Sequence, residues 1–359
     1  MPALSSVDGS AQQSGGHTVP PLQGVRVLDL TRLLPGAYAT LLLVDLGADV
    51  VKIEDPRGGD TMRTLRGGPS RYFASLNHGK RSVTLDLRSP DAAAVLDALI
   101  ATADVLIESF RPSTARRLGV DAPALRARHP RLICASISGF GQSGPYVERA
   151  AHDINYQALA GLLRPPQLPG PLVGDIGSAH QAALAIVAAL VERGRTGTGS
   201  AIDISIHEAA LAWSMFPTTA DLAQARYNVY ETADGKWLAM GGLEEKFWAG
   251  FCERLELPLT AGEDEVRARL RTRTHDQWLA HFDGADVCLT TIYTPEEVAA
   301  DPHVVARGVV STRAGITHVT PPAGEVRSAP ALGADTDAVL EAAGIDAAER
   351  ARLRAKGVI

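Results

Sequence analysis

From Val25 to Ser205, short apolar runs alternate with stretches of helical spacing, and this alternation restricts the chain more than any other feature. Val25–Leu30, Asp49–Glu54, Ser82–Leu87, Asp104–Glu108, Arg131–Ile137 and Ala201–Ser205 read as strands. Gly36–Leu46, Pro90–Thr102, a stretch from about Ser113 and the long run Gly177–Arg193 read as helices, and a further helix follows the last strand through Trp213. Strands that alternate with helices are joined by crossovers and lie parallel. The expected class is therefore α/β, with an open, mostly parallel, Rossmann-like sheet in a large domain.

The pattern changes near Tyr227. Tyr227–Glu231 and Lys236–Met240 are strand-like and flank Asp234-Gly235, a hairpin turn signal. Helices around Glu245–Leu255, Glu263–Thr272 and Asp276–Phe282 follow, then a strand at Val287–Tyr293, which together predict a smaller α+β domain. The expected boundaries are an extension over 1–20, a large domain over 21–220, a small domain over 225–320 and a return to the large domain over 321–359. Ser5–His17 is rich in Ser, Gly and Gln and lacks the apolar run of a signal peptide. The tail is helical again from Asp335 to Lys356.

Composition narrows the function classes. The 359 residues suit one large or two ordinary domains at about 150 residues each. With 45% hydrophobic residues the chain builds a core, and its net charge of −6 argues against general nucleic-acid binding, which wants a basic face. Its longest apolar run, Ala182–Val191, falls short of the roughly 18–20 residues that span a bilayer. Neither a membrane nor nucleic acid is expected as a partner. Cys134, Cys252 and Cys288 are widely spaced with no CxxC pair, so no disulfide framework or zinc site is expected, and the location expected is cytoplasmic. No spacing of metal ligands is present.

Several motifs then carry chemistry. Gly139-Phe-Gly141-Gln-Ser-Gly144 has the letters of a dinucleotide fingerprint, but Pro145 and Tyr146 follow where a helix must open. A Gly-rich loop that lets a ligand approach the backbone fits better. Between Arg57 and Arg81 six basic residues stand against one acid, a charge of +5 in an acidic chain. Arg111 follows a strand's C-terminal end, where open α/β sheets bind ligands. Such residues form either a solvated face or a polyphosphate pocket gripped by guanidinium forks. His152 beside Asp153, Asp175 ahead of a helix and Glu244 after a strand each have an ordinary structural reading as well. Together they offer a base and carboxylates to flank a substrate carbon.

Read in order, the segments Leu22–Arg32, Leu46–Glu54, Asn77–Ser82, Glu108–Pro112, Gly139–Pro145 and Gly174-Asp175 resemble the family III CoA-transferases and their relatives, from about Pro21 to Gly357-Val-Ile. The resemblance implies the fold of that family, coenzyme A as part of the substrate with no prosthetic group, and an interlocked homodimer. Two chemistries share the fold: CoA-transferases that use the residue matching Asp175 as a nucleophile, and 2-methylacyl-CoA racemases that use a His and that Asp as opposed bases. His152, Asp175 and Glu244 stand at all three positions matching the racemases, Glu244 as partner of the His. The reading favoured is an acyl-CoA racemase, the alternative is a CoA-transferase acting through an Asp175 anhydride, and a non-catalytic acyl-CoA binder is the third.

The resemblance also implies CoA contacts from Arg32, Arg57, Asn77, Lys80, Arg111, Gly139 and Gly141. Asp55 stands where relatives often carry an Arg, leaving Arg57 to substitute, and Ala151 stands where the racemases have Gly. Backbone N–H groups near Gly177, or in the Gly139–Gly144 loop, are the expected holders of an enolate oxygen.

Overall fold

The computed structural model describes residues 19–308, 310–313, 316–319 and 327–359. Ser5–His17 and the boundary drawn at 320–321 lie outside those residues. Two compact units form, one from the described residues up to Leu211 together with those of Ser311–Ile359, the other from Ala212–Val310.

The first unit runs β1 (Arg26–Leu30), α1 (Leu33–Asp45), β2 (Asp49–Glu54), α2 (Arg71–Asn77), β3 (Arg81–Thr84), α3 (Ala92–Ile100), β4 (Val105–Glu108), α4 (Pro112–Leu118), α5 (Ala122–Arg128), β5 (Ile133–Ser138), α6 (Asp153–Leu159), α7 (Val173–Thr196), β6 (Ala201–Ser205) and α8 (Ile206–Ser214), the last reaching into the second unit. Its six strands form one parallel sheet in the order β3-β2-β1-β4-β5-β6. Period-two alternation explains the strands. Val27, Val105, Ile107 and Ala135 pack on one face with residues of α1 and α7. Leu28, Leu30, Leu106 and Cys134 pack on the other with residues of α3, α4 and α5. The winding direction reverses between β1 and β4, and ligands of open α/β sheets bind outside the strand C-termini at such a point.

Helix limits differ from the sequence expectation where glycine or a cap intervenes. The stretch from Ser113 is two helices, because Gly119 ends α4 in the left-handed region at φ 69°. The tail is likewise two helices, parted at Gly344 with φ 85°. α1 starts at Leu33, itself at φ 65°, a conformation unfavourable for a branched side chain. α7 begins at Val173 rather than Gly177. By length and hydropathy α7 also meets the requirement for a membrane span. Its alanine-rich face, Ala179, Ala182, Ala183 and Ala189, is buried in the core around α1 and β5.

A charged cluster holds the β1–α1 turn in place. Asp29, Lys52 and Lys80 are fully buried, with Lys80 Nζ at 3.2 Å from Asp29 and Lys52 Nζ at 3.1 Å from Asp60. Asp29 also accepts from Thr31 and from Thr40. Although burial opposes its charge, the two ammonium groups and these hydroxyls hold the Asp29 carboxyl at about 2.

The second unit is a three-stranded antiparallel sheet, β7 (Tyr227–Glu231), β8 (Trp237–Gly241) and β9 (Leu289–Thr291), packed by α9 (Glu245–Leu255), α10 (Glu263–Leu270) and α11 (His275–His281). Tyr230, Trp248, Phe251 and Trp278 fill its core. The hairpin turns at Gly235 with φ 77°, as the Asp-Gly signal requires. Short helices α12 (Pro295–Val298) and α13 (Pro302–Arg307) follow, then a two-stranded ribbon of β10 (Val310–Arg313) and β11 (Ile316–Val319). Helices α14 (Thr336–Ala342) and α15 (Ala347–Ala355) close the chain in the first unit.

Candidate active site

At the reversal point a cavity of about 360 Å³ opens beyond the strand C-termini. Arg32 after β1, Ser109–Arg111 after β4, Gly139 after β5 and Ile206 after β6 contribute to its walls, and so do His152, Tyr156 and Asp175. A smaller cavity of about 210 Å³ shares Arg32 and Phe110 with it and is lined further by Glu54, Asp55, Asp86, Arg88 and Arg117.

His152 and Asp175 thus face one space from different elements. His152 is the N-cap of α6, a helix the sequence reading passed over, and its backbone N–H donates to Asn155 Oδ1 at 3.0 Å. Its ring is exposed to the cavity. Asp175 lies in the first turn of α7, where the helix dipole favours an anion. Even so, burial and then the negative charge of Asp153 push its carboxyl up to about 7. Glu108 is raised to about 7 as well, chiefly by burial, but it is enclosed at the end of β4 and accepts from the Phe110 N–H rather than lining the cavity. A raised carboxyl on an open wall is the rarer combination and the one that marks a reactive group.

Asp153, absent from the sequence-based site, is the residue that ties α6 to α7. Its Oδ1 accepts from the Asp175 backbone N–H at 2.9 Å and its Oδ2 from the Gln157 side-chain amide. A Cβ on Gly174 would stand 3.0 Å from that Oδ1, so glycine there lets the two helix ends meet. Tyr156 was missed too. Its hydroxyl donates to Ala151 O, burial followed by the charges of Asp175 and Asp153 raises it to about 12, and a Cβ on Gly139 would fall 2.5 Å from its oxygen. The available signal was the run His152–Tyr156, whose polar residues at the first positions suit a helix start.

Of the expected binding residues, Arg32, Arg111 and Gly139 line the cavity. Arg32, Arg111 and the unpredicted Arg149 form no ion pair among the described residues. Asn77 and Lys80 do not reach it. Lys80 Nζ is buried and bonded to Asp29, Thr40, Ala37 O and Asn77 Oδ1, which leaves no donor for a phosphate. Arg57 is exposed and engaged by Asp55 at 3.0 Å and Asp86 at 2.9 Å. Gly141, at φ 78°, shapes a turn in which the Gln142 N–H meets Asp203, and it lines neither cavity. No helix opens between Gly139 and His152, in keeping with the rejected dinucleotide reading. Gly177 falls in the second turn of α7, where N–H groups bond carbonyls four residues back, so it does not offer a free donor. Glu244 belongs to the second unit, exposed at the N-cap of α9 after β8. No cluster of metal-ligating side chains occurs among the described residues.

The fold, the cavity at the sheet reversal and the paired His and Asp define an α/β enzyme site of a recognisable class. The model of CoA-transferase family III matches residues 22–336, and the chain belongs to that family. It is 34% identical to the alpha-methylacyl-CoA racemase of Homo sapiens over 94% of this chain and 97% of the relative. It is equally 34% identical to the succinyl-CoA–D-citramalate CoA-transferase of Chloroflexus aurantiacus, over 80% of this chain and 82% of that one. A CAIB/BAIF family protein from Brucella suis superposes with a TM-score of 0.78 at 28% identity, covering 90% of this chain and 99% of that one.

Proposed function

We propose that this enzyme is an acyl-CoA racemase that inverts the α-carbon of a 2-methylacyl-CoA. The observation that carries the reading is that His152 and Asp175 line one cavity, and that the Asp175 carboxyl, with no cationic partner within bonding distance among the described residues, is pushed up to about 7 by burial and by Asp153. A thioester α-proton is weakly acidic, so its removal needs a positioned base and a partner ready to return a proton on the opposite face. With the α-carbon between them, the His152 imidazole takes the proton from one face and the electron pair moves onto the thioester oxygen. The Asp175 carboxylic acid then protonates the other face as that pair returns. The opposite enantiomer runs the same path backwards. A carboxyl pushed up to about 7 still carries a proton to give near neutral pH.

Arg32 and Arg111 supply guanidinium groups for the phosphates of coenzyme A, and the smaller cavity that shares Arg32 takes the nucleotide end. Glu244 orients the His152 ring from the second unit of a partner chain in a homodimer. Leu184, Val191, Met215 and Phe216 stand exposed, the kind of apolar surface that protein contacts cover. Gel filtration showing an active monomer defeats this part of the reading.

The decisive assay incubates a 2-methylacyl-CoA in D₂O with no acceptor acid. Racemase action incorporates deuterium at the α-carbon and erases optical purity, and His152→Ala abolishes both. The second reading, CoA transfer through an Asp175 anhydride, is favoured by the equal identity to a transferase. It predicts neither exchange nor racemisation, and a hydroxylamine-trappable acyl group on Asp175 instead.

A further inference from the structure

We propose that Asp153 is a positioning residue for Asp175: its buried carboxylate fixes the main chain of the α7 first turn and sets a second negative charge beside the reacting carboxyl. The inference rests on the two-base reading for its consequence but not for its geometry. Asp153 is 3% exposed, yet no lysine or arginine pairs with it among the described residues. Both its oxygens are used, Oδ1 by the Asp175 N–H and Oδ2 by Gln157, whose amide is itself held by Pro171 O at 3.1 Å. Gly174 lies beside Asp175 with room for no Cβ larger than a tight contact against Asp153 Oδ1, Ile206 and Ala210. A buried, unpaired carboxylate is expensive to keep, so its retention here calls for a role.

The charges around Asp175 give that role its direction. α6 contributes Asp153, the Tyr156 phenol and the His152 ring at its cap. Arg32, Arg111 and Arg149 reach the same cavity from the segments after β1, β4 and β5. Asp153 is bonded directly to the Asp175 residue, and none of the three arginines bonds its carboxylate. The nearest ionic influence is therefore repulsive and favours the protonated acid. A bound anionic substrate would occupy the arginines and leave the carboxyl pair to set the proton's place.

The test uses the full-length enzyme and two readouts. The carboxylic acid stretch of Asp175, assigned by infrared difference against Asp175→Asn, is titrated without substrate, and the α-proton exchange rate is followed against pH. Asp153→Asn keeps an oxygen for the Asp175 N–H but removes the charge. The expected result is a titration midpoint lower by on the order of one pH unit, with the basic limb of the exchange profile, for the enantiomer that His152 deprotonates, moving the same way. The exchange kcat falls by roughly tenfold with KM within about twofold, as expected for loss of a proton-transfer match rather than of binding. An unmoved midpoint and profile in a folded Asp153→Asn protein overturns the proposal. If that variant does not fold, Gly174→Ala presses the same carboxylate aside, and an unchanged midpoint and kcat there overturns it equally. A shifted midpoint in an enzyme that shows no exchange defeats the racemase reading and leaves the role of Asp153 standing.

Discussion

Asp29 and Asp175 belong to one sheet's neighbourhood and have opposite fates. Asp29 is wholly enclosed, yet two ammonium groups and two hydroxyls hold it at about 2. Asp175 keeps partial access to solvent, yet burial, reinforced by the negative charge of Asp153, pushes it up to about 7. Burial opposes the charge in both cases, so the sign of the neighbours decides the outcome. The first arrangement stabilises a turn, and the second leaves a raised carboxyl on the wall of a cavity.

The largest way to break this contrast is at the cavity. On the proposed racemase reading, Asp175→Asn removes one of two proton carriers and should lower α-proton exchange by about 10²–10⁴-fold, read by deuterium incorporation with the protein still folded. Next comes the buried cluster. Lys80→Ala strips Asp29 of its nearer partner and should cost roughly 3–5 kcal/mol of stability in chemical denaturation, because a charge is left buried without compensation.

Titration sharpens the comparison at intermediate size. The Asp29 carboxyl is depressed in the fold, so its contribution is complete above the ordinary aspartate value of 3.8 and is lost as pH falls toward about 2. Asp175 has the reverse sign. Its folded value lies above its unfolded one, so it destabilises increasingly from 3.8 up to about 7 and by a constant amount beyond. Asp175→Asn should therefore raise stability by about 2 kcal/mol at pH 8 and by nothing below pH 3.8, less than full conversion of the shift because the carboxyl keeps some solvent access. Denaturation curves of both proteins across that range check the crossing. The smallest effect belongs to Arg57, exposed and tied to Asp55 and Asp86. Arg57→Ala should change stability by under about 1 kcal/mol and leave the KM for acyl-CoA within about threefold.

Much of the fold was legible in the chain. The six strands and most helices follow from period-two and helical spacing, and the Asp-Gly hairpin from turn chemistry. The misses have local causes. α6 is only seven residues long, too short to show a repeating face, and α7 extends upstream because Asp153 caps a first turn that the local residues do not. At the site, His152 and Asp175 were legible, while Lys80 was misread. A lysine amid other basic residues looks like a phosphate ligand until its carboxylate partner, 51 residues away in the chain, is seen beside it.

The sequence by itself determined the order of strands and helices along the chain and the family, because these depend on periodicity and on residue type. Only the tertiary structure decided which cations face the cavity, which are buried in salt bridges, and that Asp153 stands against Asp175. Proton affinity and ligand access depend on distances between residues remote in the chain, and those distances exist only once the helix ends have met.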